Sequence, residues 1–174
     1  YPQMIHLARA NPVMVSGDPE FSLKVSVEDL EKASDANTRG LLLCSPNNPT
    51  GAVYTLSELR AIAEWAKGRK LWLISDEIYR RIHYAPGPAP SVLDLPDDLL
   101  SRVVVIYGVS KAYAMTGWRI GLALAPAKVA KAMSALQSHT TSGANHPAQY
   151  AAAVAFADDG VETEVQHMVQ QFQR

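Results

Sequence analysis

Three short polar clusters in this 174-residue chain hold side chains whose types could do chemistry together. The first is Ser45-Pro-Asn-Asn-Pro-Thr-Gly51. The second is Ser75-Asp-Glu-Ile-Tyr79. The third is Gly108-Val-Ser-Lys111, with Arg119 eight residues past the lysine. Between them they offer an amine, a carboxylate, a guanidinium, an amide and a phenol. A lysine amine can form a Schiff base with an aldehyde. A carboxylate opposite a pyridine nitrogen keeps that nitrogen protonated and makes the ring an electron sink. An arginine fork suits a phosphate. An amide and a phenol suit a ring hydroxyl.

Each residue taken alone has an ordinary explanation. Asp76 could cap a helix beginning near Glu77. Asn48 before Pro49, with Thr50-Gly51 after it, is ordinary turn chemistry. Tyr79 could be a half-buried surface aromatic, Arg119 could pair with any carboxylate, and a lone lysine such as Lys111 is most often solvated. Their placement changes the balance, because each cluster follows a short apolar run. Pro12 to Val15, Gly40 to Cys44, Leu71 to Ile74 and Val103 to Tyr107 read as buried strands.

Helical patterns lie between these runs. Thr55 and Glu58 form a capping box ahead of an apolar stripe at Leu56, Leu59, Ile62, Ala63 and Ala66. Ser26 is a plausible cap for the "VSVEDLEKAS" segment. Alternation of strands and helices predicts an α/β fold: three layers, a mostly parallel sheet with helices on both faces. After Tyr107 a loop runs straight into "RIGLALAP", a strand candidate that could pair antiparallel. Helices are expected from about Ala127 to Ser138, across "AQYAAAVAFA", and over Val161 to Phe172. "YAPGPAPSVLDLP" reads as an excursion loop. In an open α/β sheet the ligand crevice lies outside the carboxyl ends of the strands. All three clusters therefore belong on one rim. A single molecule that needs all five groups is pyridoxal 5'-phosphate.

Composition narrows the alternatives. A chain 48% hydrophobic and 19% charged has the balance of a globular protein with its own core. Sixteen Lys+Arg against seventeen Asp+Glu leave a net charge of -1, without the basic excess a nucleic-acid surface needs. The lone cysteine, Cys44, cannot form an internal disulfide and reads as a buried thiol in a reducing compartment. The histidines have no zinc-ligand spacing, so no metal is expected. No apolar stretch is long enough for a membrane span. The start, Tyr1-Pro-Gln-Met, lacks an initiator methionine and a signal-peptide pattern, so the chain reads as an internal piece of a longer, cytoplasmic protein.

On the three motifs, in this order, the chain resembles the large-domain segment of the class I/II, fold-type I, pyridoxal-phosphate aminotransferases of the aspartate/aromatic/prephenate type. The likeness covers essentially the whole chain. It implies a pyridoxal-phosphate-binding large domain (partial) over 1–160, with 161–174 starting a helix toward a small C-terminal domain. It implies Lys111 as the Schiff-base lysine and proton shuttle, Asp76 as partner of the pyridine nitrogen, and Asn48 and Tyr79 as partners of the ring hydroxyl. Ser110 and Arg119 resemble the phosphate contacts, and Ile78 would lie against one ring face. Many relatives carry a phosphate-touching serine three residues before the lysine; here Gly108 stands there.

The implied reaction moves an amino group between an L-amino acid and a 2-oxo acid, in a cytoplasmic homodimer. The family's phosphate loop and ring-stacking aromatic would lie upstream of Tyr1, and the arginine for the substrate α-carboxylate downstream of Arg174. A piece without them is expected to be inactive alone. Gln137-Ser-His-Thr-Thr-Ser142 carries no arginine to read a side-chain carboxylate, so substrate choice stays open. The same lysine and aspartate also serve β-lyases and aminocyclopropane-carboxylate synthases. A pyridoxal-phosphate sensor domain of a transcription regulator is a further alternative, although intact "SPNNPTG" and "DEIY" speak for catalysis.

Overall fold

The computed structural model describes residues 1–174, which divide into two compact units, Tyr1–Thr38 and Arg39–Arg174. In the first unit, helix α1 spans Pro2–Leu7, with proline in its first turn, where a missing N–H does no harm. Helix α2 spans Val27–Ala33 and starts as a capping box. The Ser26 hydroxyl accepts from the Asp29 N–H at 3.1 Å, and the Asp29 carboxylate accepts from the Ser26 N–H at 3.0 Å.

Pro12 to Val15 does not form the expected strand. The segment belongs to no ladder of the sheet, and Val13 and Met14 are exposed. An apolar run becomes a strand only where another strand takes up its N–H and C=O groups. The nearby bridge, Asp18 to Lys24, instead closes a local turn.

The second unit is built on a four-stranded sheet in the order β1-β2-β3-β4. Strand β1 is Gly40–Cys44, β2 Trp72–Asp76, β3 Val103–Gly108 and β4 Gly121–Leu124. The first three run parallel and β4 runs antiparallel to β3. The expected α/β, mostly parallel architecture therefore holds, and so does the antiparallel return after the Lys111 loop. Strand β2 ends later than its apolar run, at Asp76 instead of Ile74.

Helix α3, Leu56–Gly68, makes the β1-to-β2 crossover behind the Thr55–Glu58 capping box. Leu59, Ile62, Ala63 and Ala66 are buried, whereas Leu56, in the first turn, is exposed. Leu43, Leu73, Val103, Val104 and Val105 are the sheet's buried aliphatics, and Cys44 is buried as a free thiol. Helix α4 is Ala127–Thr140, α5 His146–Ala157 and α6 Asp159–Phe172. No helix is long and apolar enough to cross a membrane.

Candidate functional site at the sheet rim

Parallel pairing puts the carboxyl ends of β1, β2 and β3 on one edge. The register is specific: Cys44 lies beside Asp76, and Asp76 beside Ile106. The ladder continues one bond further on each side. Ser45 donates its N–H to the Asp76 carbonyl at 3.1 Å, and Glu77 donates to the Ile106 carbonyl at 2.9 Å. Strand β4 enters from the same edge, since Gly121 pairs with Gly108. Three stretches remote in sequence thus reach one rim, carrying Asn48, Asp76 to Tyr79, and the loop with Ser110, Lys111 and Arg119.

Three of the expected residues come together directly. The Asn48 side-chain amide donates to the Tyr79 hydroxyl at 3.2 Å. The Lys111 ammonium lies 5.6 Å from the centre of the Tyr79 ring. Amide, phenol and amine therefore converge, and a ligand with a hydroxyl next to an aldehyde matches that set. Asp76 does not cap a helix, because the chain turns after β2 without forming one. Its carboxylate accepts from the Ile78 N–H at 3.1 Å, which fixes the turn that presents Tyr79.

The Lys111 loop is held on both sides of the lysine. Val109 is fully buried in a cluster with Ile120 of the β4 approach and Ala148 and Ala152 of α5. Ala112 is buried against Val165 and Val169 of α6. Lys111 and Ser110 stand half-exposed between these anchors. Apolar anchors flanking a polar side chain fix its backbone without enclosing the side chain itself, as a working amine requires.

Arg119 is exposed, adopts the left-handed region (φ 55°), and donates one N–H to the Thr116 carbonyl at 2.9 Å. A guanidinium has five N–H groups, so the rest of the fork is available to an anion.

Gly108 has a steric reason. A Cβ there would stand 2.9 Å from the Ile120 carbonyl oxygen and 3.2 Å from both the Gly121 Cα and the Ile78 side chain. Ile78 is thus packed toward the strand below the lysine loop.

Sequence reasoning did not single out two further groups. Glu77 is 2% exposed, directly beside Asp76. Arg81 pairs with Glu162 of α6, and its guanidinium stands 6.0 Å from the Tyr113 ring centre. Burial pushes the Tyr113 hydroxyl up from its ordinary pKa, with neighbouring Tyr107 adding to the rise. The signal for both acid and arginine was only their position inside or just after the "DEIY" cluster. An open cavity of about 440 Å³ borders the Asn48–Tyr79 pair, with Pro49, Ile82, His83 and Tyr84 in its wall.

The whole chain, residues 1–174, matches the family described as aminotransferase class I and II. This chain belongs to that family. It is 39% identical over 174 residues to an aspartate aminotransferase of Geobacillus stearothermophilus, covering 100% of this chain and 44% of that protein. It is 41% identical over 160 residues to the aspartate/prephenate aminotransferase of Nitrosomonas europaea, covering 91% of this chain and 40% of the relative. The crystal structure of an aromatic aminotransferase from Pyrococcus horikoshii superimposes with a TM-score of 0.95 at 34% identity, over 100% of this chain and 46% of that one. The aminotransferase segment described here thus spans less than half the length of these relatives.

Proposed function

We propose that the protein carrying this segment is a pyridoxal-phosphate-dependent aminotransferase that moves an amino group between an L-amino acid and a 2-oxo acid. The observation that carries this reading is the convergence of the Lys111 amine, the Tyr79 phenol and the Asn48 amide at the end of a parallel sheet. That donor set fits pyridoxal phosphate, whose aldehyde and ring hydroxyl are adjacent. When bound, the cofactor supplies a conjugated ring that stores the electrons of a broken Cα–H bond.

The chain's own residues divide the remaining work. Lys111 is the catalytic amine. It would hold the cofactor through its aldehyde and, with its amine free, would take and return the proton of the substrate Cα. Asp76 would pair with the ring nitrogen and hold a proton there. Tyr79 and Asn48, held together by the hydrogen bond between them, would orient the ring hydroxyl. Arg119, through N–H groups other than the one given to Thr116, and Ser110 would take the phosphate, and Ile78 would lie against the ring. With glycine at 108, any phosphate contact there comes from the backbone N–H.

Residues 1–160 form part of a large cofactor domain, with 161–174 starting a helix toward a small C-terminal one, and the full-length protein works as a homodimer. Relatives named for aspartate make that amino acid the first donor to assay. Purified full-length gene product incubated with pyridoxal phosphate, aspartate and a 2-oxo acid is expected to yield oxaloacetate and the new amino acid in equal amounts. Failure to transfer an amino group from any common L-amino acid to any common 2-oxo acid would overturn the proposal in favour of a lyase or a sensor.

A further inference from the structure

Glu77 has no part in the chemistry above, yet it is the most enclosed acid beside the site, at 2% exposure. A carboxylate removed from water is strongly destabilising unless hydrogen bonds replace its solvation. Here they do. One oxygen accepts from the Ser75 hydroxyl at 3.0 Å and from the Val92 N–H at 3.0 Å. The other faces the Arg80 Nε at 4.0 Å. Arg80 is itself fixed, donating to the Ala89 carbonyl at 3.0 Å and to the Asp94 carboxylate at 3.2 Å. Asp94 in turn accepts from the Ser91 N–H at 2.9 Å. Ser75, Ala89, Ser91 and Val92 are all fully buried.

The network ties the end of β2 to chain fifteen residues further on. Asp76 and Tyr79 lie beside and on the stretch that the tie closes. Glu77, just past β2, also makes that segment's last bond to β3, through its N–H to Ile106. Successive side chains of an extended strand point to opposite faces. Sealing Glu77 on one side therefore sets the direction in which Asp76 is presented on the other.

We propose that Glu77 is the positioning residue that orients Asp76 and Tyr79 toward the cofactor. This inference rests on the proposed function and deepens it. A merely structural acid would change stability and leave the affinity of the folded protein for cofactor unchanged. An orienting acid changes both.

The test uses the full-length protein and its Glu77→Gln, Glu77→Asp and Glu77→Ala variants. Thermal melts give stability, and quenching of intrinsic fluorescence by pyridoxal phosphate gives Kd, at a temperature where far-ultraviolet circular dichroism shows each variant folded. Glu77→Gln keeps an oxygen for Ser75 and Val92, so Kd is expected within about threefold of wild type. Glu77→Asp withdraws the carboxylate by one methylene and Glu77→Ala removes it, so Kd is expected to weaken by roughly 10–100-fold, as on loss of an outer-shell partner. If Glu77→Ala does not fold, Glu77→Asp decides. Wild-type Kd in the folded alanine variant, or failing that in the aspartate variant, overturns the positioning role alone. A wild-type protein that does not bind pyridoxal phosphate overturns the proposed function, and the positioning role with it.

Discussion

Two neighbouring acids mark two regions of this molecule. Asp76 stands half-exposed at the rim, while Glu77, one residue on, is shut into a layer of fully buried groups. The same contrast runs along the rim. Lys111, Tyr79 and Asn48 keep part of their surface open, whereas Val109, Ala112 and Ser75 have almost none. Under the proposed function, the groups assigned to the cofactor are the reachable ones, and their backbone is fixed by buried neighbours. The difference teaches that reactivity and rigidity here belong to alternate residues, which a turn or an extended strand allows because adjacent side chains leave in different directions.

The largest expected effect lies on the open side. Lys111→Ala removes the amine on which the proposed chemistry depends, and transamination by the full-length protein is expected to fall by on the order of a thousandfold or more. The lysine side chain is half-exposed and serves no core contact, so the melting temperature of the cofactor-free protein should stay within a degree or two of wild type, the usual range for substitutions away from packed features. Absorbance of bound cofactor, initial rates and a thermal melt check this. A large loss of stability would mean that the lysine belongs to the sealed layer and that the contrast is misdrawn.

Leu59→Ala is the reverse case. Leu59 is 1% exposed on α3, and truncating such a leucine destabilises by about 2–5 kcal/mol. Cofactor affinity measured well below the melting transition should be unchanged. Denaturant unfolding and a cofactor titration on one preparation read both quantities.

Gly108→Ser lies on the boundary between the two regions. The added Cβ would press on the Ile120 carbonyl and the Gly121 Cα, which are backbone and cannot swing away. A loss of about 1–3 kcal/mol is expected from the overpacking. The hydroxyl should bring no tighter cofactor binding, because making room for it shifts β4 and with it the entry of Arg119. Tighter binding at unchanged stability would show that the strand pair accommodates a serine freely.

How far the sequence revealed this arrangement follows from the same division. The rim was legible because the strands are short apolar runs with polar clusters at their carboxyl ends, and parallel pairing then leaves one place for Asn48, Asp76, Lys111 and Arg119. The Thr55–Glu58 and Ser26 caps were legible because a cap is settled within four residues. The Pro12–Val15 strand was misjudged because pairing is a property of the neighbour and not of the run. Leu56 looked like part of a buried stripe, yet periodicity does not say how far the covering sheet extends. Glu77 was invisible for a related reason. Its partners Ser75 and Val92 meet only once the 84–96 excursion folds back, and no local pattern encodes that return.

A surface ion pair provides the smallest effect and the control for the others. Lys67 donates to the Asp98 carboxylate at 2.7 Å with both side chains exposed. That hydrogen bond, with the lysine's charge, holds the Asp98 carboxyl below its ordinary pKa. A carboxyl whose pKa is lower folded than unfolded stabilises the fold above its unfolded value, about pH 4, and loses that stabilisation as pH falls through its folded value. Asp98→Asn should therefore lower the melting temperature slightly at pH 7, and the gap from wild type should close as the melts are repeated toward pH 3. Solvent and salt screen such a pair, so added salt should narrow the gap as well. Amino transfer at pH 7 should be unaffected, because Asp98 lies in the 97–102 turn leading into β3, at the strand's amino end and away from the rim. An activity loss in Asp98→Asn would mean that the far end of the sheet also helps to hold the site, contrary to the contrast between the two acids at its carboxyl end.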